Sequence, residues 1–220
     1  MKKRKIIVLF ILLILLVGCE KRKDIKEKEE KEENSSWIIN KEESTYPFQE
    51  EEKKRFKKTI NDKNLEPIAI LGEQVVAGKN TMLLCLDEKK GIYKIVTIYE
   101  DLKGKRKVTN SSPFNPIQYS NQNTAMDKEI RTGGWNVSMP GKPIMLEEEL
   151  QYNFEKAVEN QEEISYYPIR VLATNQEEGK NIILSYGRLN SGNEKTGIFI
   201  LTIEQDKLRS TYYLDLKEWN

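Results

Sequence analysis

Two series of hydrophobic positions run along this chain, and each places a helical pattern ahead of several short strand patterns. Apolar residues at helical spacing come first, and they are Phe48, Phe56 and Ile60 in the first series and Leu146, Leu150, Phe154 and Val158 in the second. Short runs rich in β-branched residues follow at 68–71, 82–86 and 92–99, and again at 169–172, 182–184 and 197–203. The runs are joined by connections of hairpin length, which predict antiparallel meanders and argue against parallel βαβ units.

Turn residues strengthen the match between the two series. Pro67 and Pro168 precede the first strand pattern of each, and the triplets 78–80 and 179–181 both read Gly-Lys-Asn at the same distance from the proline. Chance similarity of short apolar runs is the alternative, but common order and common turn residues favour duplication. We therefore predict an α+β fold of two tandem modules, 37–110 and 132–220, each with one helix packed on an antiparallel meander sheet. A connector at 111–131, rich in Ser, Asn, Gln and Pro, joins them, and the modules either pack side by side or hang independently on it.

The N-terminus has the layout of an export signal. A basic cluster at 2–5 leads into an apolar core at 6–17 that ends in Leu16-Val17-Gly18-Cys19. The core is shorter than the roughly 20 apolar residues of a membrane-spanning helix, so an uncleaved anchor is the weaker interpretation, as is an N-terminal core helix. The tetrapeptide resembles the lipobox of bacterial lipoproteins. That resemblance implies a signal peptide at 1–18, diacylglycerol and palmitate on Cys19, and a lipid-anchored protein on the extracytoplasmic face of the cell membrane.

Residues 19–36 follow as a charged spacer. Ile25 is the only aliphatic residue in the run 20–36, and such a composition cannot bury enough surface to offset the entropy of folding. We predict a disordered tether, with a helix stabilised by alternating charges as the alternative. Lys21, Arg22 and Lys23 add a small attraction to anionic lipid.

Composition removes several function classes. The chain has 36 Lys and Arg against 35 Asp and Glu, which gives a nucleic-acid partner no electrostatic support. It has no histidine, and therefore lacks the commonest general base and the commonest metal ligand. We predict no enzyme activity, no cofactor and no metal. Once Cys19 carries lipid, Cys85 is the only other cysteine, so no intramolecular disulfide forms, and we interpret Cys85 as a small buried hydrophobe, with a reactive thiol as the alternative.

The segment Gln74-Val75-Val76-Ala77-Gly78, which follows a helix and precedes Asn80 and a strand, resembles the Gln-x-Val-x-Gly hairpin of cystatins. It is also similar to a module with a helix and Gln-Val-Val-Ala-Gly in uncharacterised surface proteins of Gram-positive bacteria, in which Gly-Gly-Trp precedes the helix as it does at 133–135 here. In cystatins this hairpin wedges into the cleft of papain-like cysteine proteases. The chain departs from that pattern because 101–104 has no tryptophan, because Ser-Ser-Trp at 35–37 stands where a glycine is expected before the first helix, and because the second copy reads Asn-Gln-Glu-Glu-Gly at 175–179. The structural alternative places Val75 and Val76 on opposite strand faces, a turn at Gly78 and Gln74 in solvent.

Two further residue groups have a functional and a structural interpretation. Trp37, Trp135 and Trp219 would form a sugar-stacking surface or, as we prefer, close the ends of the modules. The acidic runs 50–52 and 147–149 would bind calcium or, as we prefer, begin helices, where acids suit the helix dipole.

The sequence therefore predicts a non-enzymatic surface lipoprotein that acts as a binding or scaffold module. Its partners would be the membrane, through the lipid on Cys19, and an extracellular protein or cell-wall component. The alternative is a cystatin-type inhibitor of papain-like cysteine proteases acting through Gln74 to Gly78, and an enzyme is the least favoured class.

Overall fold

Two helices and nine strands make up the part of the chain that the computed structural model describes, which is residues 36–39, 50–120, 134–137, 148–190 and 196–219. The first half contains α1 (Glu50–Ile60), β1 (Leu65–Val76), β2 (Gly78–Asp87), β3 (Ile92–Glu100), β4 (Arg106–Phe114) and a 3₁₀ turn (Pro116–Tyr119). The second half contains β5 (Trp135–Val137), α2 (Glu148–Val158), β6 (Ile164–Asn175), β7 (Lys180–Leu189), β8 (Thr196–Glu204), β9 (Lys207–Tyr213) and a 3₁₀ turn (Leu216–Trp219).

The strands form two antiparallel meanders, which confirms the predicted α+β class. Strands β1 to β4 lie in sequence order in the first sheet and β5 to β9 in the second. Each half also has a tryptophan-containing segment beside its first long strand. In the second half that segment is β5, which pairs with β6, and in the first half Ile38 forms an antiparallel bridge with Glu73 of β1.

The elements stack in four layers, α1, first sheet, second sheet and α2. The central core lies between the sheets and joins residues of both, among them Leu71, Leu84, Leu172 and Leu184. Phe56 of α1 and Phe154 of α2 anchor smaller clusters on the outer sheet faces. Both faces of both sheets are therefore covered, and the two halves bury their largest hydrophobic surface against each other.

Irregular strand positions repeat between the halves. Pairing shifts register after Pro67 in β1 and after Pro168 in β6, because proline cannot donate a ladder hydrogen bond. Another shared irregularity follows Thr97 in β3 and Thr202 in β8. The order of elements and the positions of the bulges thus agree in the two halves.

Polar contacts also cross between the halves. The Tyr93 hydroxyl donates to the carbonyl oxygen of Leu172 at 3.0 Å, and the Asn110 side-chain amide donates to the carbonyl oxygen of Trp219 at 2.7 Å. Of the two arrangements left open by the sequence, independent hanging or packing, the described residues adopt packing.

Two structural details correct the sequence analysis. Residues 111–114 of the predicted connector belong to β4, and the 3₁₀ turn follows directly, so the folded part of the first half continues to residue 120. Strands β4 and β9 have no counterpart among the predicted apolar runs, because the sequence RKVTNSSPF of β4 is mostly polar.

The signal peptide at 1–18, Cys19, most of the tether, Phe48, Leu146 and residues 121–131 lie outside the described residues. Within those that are described, no helix combines the length and apolar character needed to cross a membrane.

Candidate functional site

The Gln74–Gly78 segment forms the end of the β1–β2 hairpin. The ladder between the two strands continues past Gln74 and Asn80 through Val75–Lys79 to Val76–Gly78, which leaves Ala77 at the tip. Val75 is 57% exposed and Val76 40% exposed, although both are aliphatic. The hairpin therefore presents two valine side chains to solvent at one end of the first sheet.

Two hydrogen bonds hold this tip in place. The Asn80 side-chain amide donates to Oε1 of Gln74 at 2.8 Å, and the Tyr99 hydroxyl of β3 donates to the carbonyl oxygen of Ala77. The prediction that Gln74 faces solvent is wrong, since it is only 7% exposed. Its amide is buried because its hydrogen bond to Asn80 compensates the lost hydration.

Gly78 is required at its position for two reasons. Its φ of +132° lies in a region that residues with a Cβ rarely adopt. A Cβ there would also collide with the carbonyl oxygen of Glu100 and with the Tyr99 ring. The unusual backbone dihedral predicted for this glycine is confirmed, and the close approach of β3 adds a steric reason for glycine there.

A third exposed apolar side chain, which the sequence analysis did not select, lies at the same end of the sheet. Leu102 is 86% exposed in the β3–β4 turn, and β3 and β2 pair up to Lys79–Glu100, so this turn lies beside the β1–β2 tip. Asp101 Oδ1 accepts hydrogen bonds from the backbone amides of Lys103 and Lys105, both at 2.9 Å, and so fixes the turn. We call Val75, Val76 and Leu102 the first hairpin end. The signal available in the sequence was a single leucine within a charged turn, Asp-Leu-Lys-Gly-Lys.

The corresponding region of the second sheet is acidic. There the β6–β7 ladder stops at Asn175–Lys180, two pairs short of the β1–β2 ladder, and residues 176–179 form the turn. The neighbouring β8–β9 turn consists of Gln205 and Asp206. We call Glu177, Glu178 and Asp206 the second hairpin end. The Gly-Lys-Asn triplets match in sequence but not in register, because Gly78 pairs within a strand whereas Gly179 lies in the turn with φ +63°.

The remaining chemical candidates are the buried cysteine, the acidic side chains and an apolar groove. Cys85 is fully buried, as predicted, and its burial, followed by the nearby Glu66 carboxylate, raises the pKa of its thiol. Among the described residues no group of three or more His, Cys, Asp or Glu side chains is placed to hold a metal ion. An open groove of about 470 Å³ runs between Trp37–Ile39 and the second sheet, and its lining is mainly apolar, with Phe199 and Tyr213 among it.

The tryptophans and acidic runs occupy structural positions. Trp135 belongs to the central core, and Trp37 and Trp219 pack against it, so they do not form a common stacking surface. The acidic runs coincide with helix starts, at Glu50 for α1 and Glu148 for α2. The preferred interpretation of the two acidic runs, that they begin helices, agrees with these positions.

A scan against protein-family models found no match, and no curated protein and no solved structure matches the chain significantly.

Proposed function

We propose that this chain is a membrane-anchored lipoprotein of the extracytoplasmic face that works by binding and not by catalysis, with the first hairpin end as its binding surface. The observation that carries the proposal is the exposure of Val75, Val76 and Leu102 on two adjacent, well-braced turns. Covering exposed aliphatic side chains with a partner lowers the free energy of the complex. Because the turns are rigid, little conformational entropy is lost on binding. The finer description, two cystatin-like modules, remains part of this proposal and is supported by the shared order of helix, meander and 3₁₀ turn in the halves.

The lipid anchor is tested with a matched pair of cysteine variants in the full chain. Cys19→Ser should leave the protein in the soluble fraction and unlabelled by radioactive palmitate, whereas Cys85→Ala should remain membrane-bound and labelled. Equal behaviour of the two variants would reject the anchor.

The binding surface is tested with a second matched pair. The double variant V75S/V76S should lose partner capture from a surface extract, and E177S/E178S, which changes the second hairpin end, should retain it. Loss in both variants or in neither would contradict the assignment of binding to the first hairpin end.

A second candidate function is inhibition of a papain-like cysteine protease. Two turns with apolar tips, side by side at one sheet end, favour it, because a wedge of this kind suits an apolar cleft. Titration of the mature protein against papain tests it. Inhibition that V75S/V76S and Leu102→Ser weaken would support this candidate, and no inhibition at micromolar concentration would remove it.

A further inference from the structure

The residues around the first hairpin end carry an excess of positive charge. The acidic residues in this region already have partners. Glu73 pairs with Lys79, Glu100 pairs with Arg106, and Asp101 accepts the two backbone hydrogen bonds of its turn. Lys103, Lys105 and Lys107 are exposed and form no ion pair with any residue that the structure describes. Lys107 instead lies over the Tyr99 ring, with Nζ 5.6 Å from its centre. An exposed leucine is therefore flanked by three lysines that are available to an anionic partner.

The chain enters the fold at this same end. Because Ile38 and Glu73 pair in antiparallel fashion, Ser36 lies toward the turn end of β1, level with Val75. Residues 1–35, with Cys19 among them, therefore join the described part of the protein beside the first hairpin end. A tether that begins at Cys19 connects to the side of the molecule that carries Leu102 and the lysines.

The acidic turn lies away from this side. Ile38 and Ile39 line the groove together with Ile164, Leu189 and Thr196, which belong to the end of the second sheet opposite its β6–β7 turn. The Thr196 hydroxyl donates to the carbonyl oxygen of Ile39 at 3.2 Å and fixes this contact. Glu177 and Glu178 are consequently at the far end of the second sheet, so an anionic surface at the first hairpin end would not meet them.

We infer that the first hairpin end docks on the anionic lipid surface of the membrane to which Cys19 is tethered, with Val75, Val76 and Leu102 inserted among the headgroups and Lys103, Lys105 and Lys107 in contact with lipid phosphates. This inference names the partner of the binding surface proposed above and rests on that proposal. Aliphatic tips flanked by lysines suit a bilayer interface, where the apolar groups leave water and the ammonium groups remain beside the phosphates. The tether makes docking intramolecular, so a weak intrinsic affinity is sufficient to hold the fold against the membrane.

The test is sedimentation of the unlipidated mature chain, residues 20–220, with vesicles of phosphatidylcholine alone or with roughly a third phosphatidylglycerol. This chain retains every residue that the structure describes. We expect at least a tenfold preference for the anionic vesicles and a marked loss of binding in high salt. Leu102→Ser and the double variant K103S/K105S should each lower binding by several-fold to tenfold, while Tyr152→Ser, at a position 59% exposed on α2, should bind like the unaltered chain.

Three other outcomes would overturn the membrane inference, and they differ in what they leave of the proposed binding function. Anionic binding that persists in both hairpin variants belongs to Lys21, Arg22 and Lys23 of the tether and overturns the inference. No vesicle binding, together with loss of partner capture in V75S/V76S, overturns the membrane inference and leaves the proposed binding function in place. No effect of the hairpin variants in either assay overturns both.

Discussion

The first and second hairpin ends show how one backbone plan carries two different surfaces. Both sheets are meanders with a helix on the outer face and matching bulges after proline, yet the first ends in Val75, Val76 and Leu102 and the second in Glu177, Glu178 and Asp206. The β1–β2 ladder continues two pairs further than the β6–β7 ladder, and this extension places the valines at the very end of the first sheet. The halves therefore agree where they are buried and differ where they meet solvent, and for this reason we propose only the first hairpin end as the binding surface.

The largest expected effect tests whether the two halves, despite their different ends, form one folding unit. Leu84→Ala in the first sheet and Leu184→Ala in the second both create a cavity in the central core, and each should cost about 2–5 kcal/mol. Because the core is shared, denaturant unfolding should show one transition, shifted by either variant. Two transitions, with only one moved by each variant, would mean that the halves fold separately.

The next effect compares the two turn glycines. Gly78→Ala should cost about 3 kcal/mol, because it combines an unfavourable φ with collision against Glu100 and Tyr99. Gly179→Ala should cost only about 1 kcal/mol, since φ is +63° there and the nearest atom to an added Cβ lies 3.9 Å away. Equilibrium denaturation measures both. Equal costs would show that the β1–β2 tip is not held against β3 as described.

A smaller effect is a pH-dependent contribution to stability that the first sheet has and the second sheet lacks. Burial opposes ionisation of Glu66, but hydrogen bonds and charge from Lys53 and Lys57 outweigh it and lower the pKa of this carboxyl. The stabilisation is therefore present above the ordinary glutamate pKa of about 4.3 and is lost as the pH falls through the lower folded-state pKa. Tyr167 holds the matching position before Pro168, so the second sheet lacks this contribution.

Glu66→Gln should destabilise the protein by about 1–3 kcal/mol at pH 7 and reduce the fall in stability on acidification. Denaturation of both proteins from pH 7 to pH 3 measures this. An undiminished acid dependence in the variant would assign it to other carboxylates.

The smallest expected effect on stability is at the tip itself. Leu102→Ser should change the free energy of unfolding by less than about 0.5 kcal/mol, because the side chain is 86% exposed. Thermal denaturation checks this, with Glu177→Ser as the matched change at the other end. A large loss of stability would mean that Leu102 has a structural contact and would weaken its use as a binding probe.

Periodicity predicted the buried part of the fold well. The Phe154 stripe and the runs around Leu84 and Ile200 were recognisable because burial on one helix face or in a strand requires apolar residues at fixed spacing. Strands β4 and β9 were not recognisable, since they lie at sheet edges and need few apolar side chains. The face-to-face packing of the halves also could not be predicted from the sequence, because strands buried on both faces have the same apolar sequence pattern whichever layer covers them.

The candidate site was predictable only in part. The Gln74–Gly78 motif located the hairpin, but the extra ladder pairs, the burial of Gln74 and the position of Leu102 depend on register and on contacts with β3. Sequence spacing even suggested equal turns, because the Gly-Lys-Asn triplets lie equally far from their prolines. Register between strands depends on bulges and tertiary packing, which a single sequence does not reveal.

Site-specific photo-crosslinking in the full lipidated chain on intact cells tests the central claim most directly. A photoreactive phenylalanine analogue replaces Val76 in one variant and Glu177 in the other, so that each hairpin end reports on what it touches. The account predicts cross-links to lipid or protein from position 76 and few from position 177. Equal cross-linking from both positions, or cross-linking from position 177 alone, would contradict it.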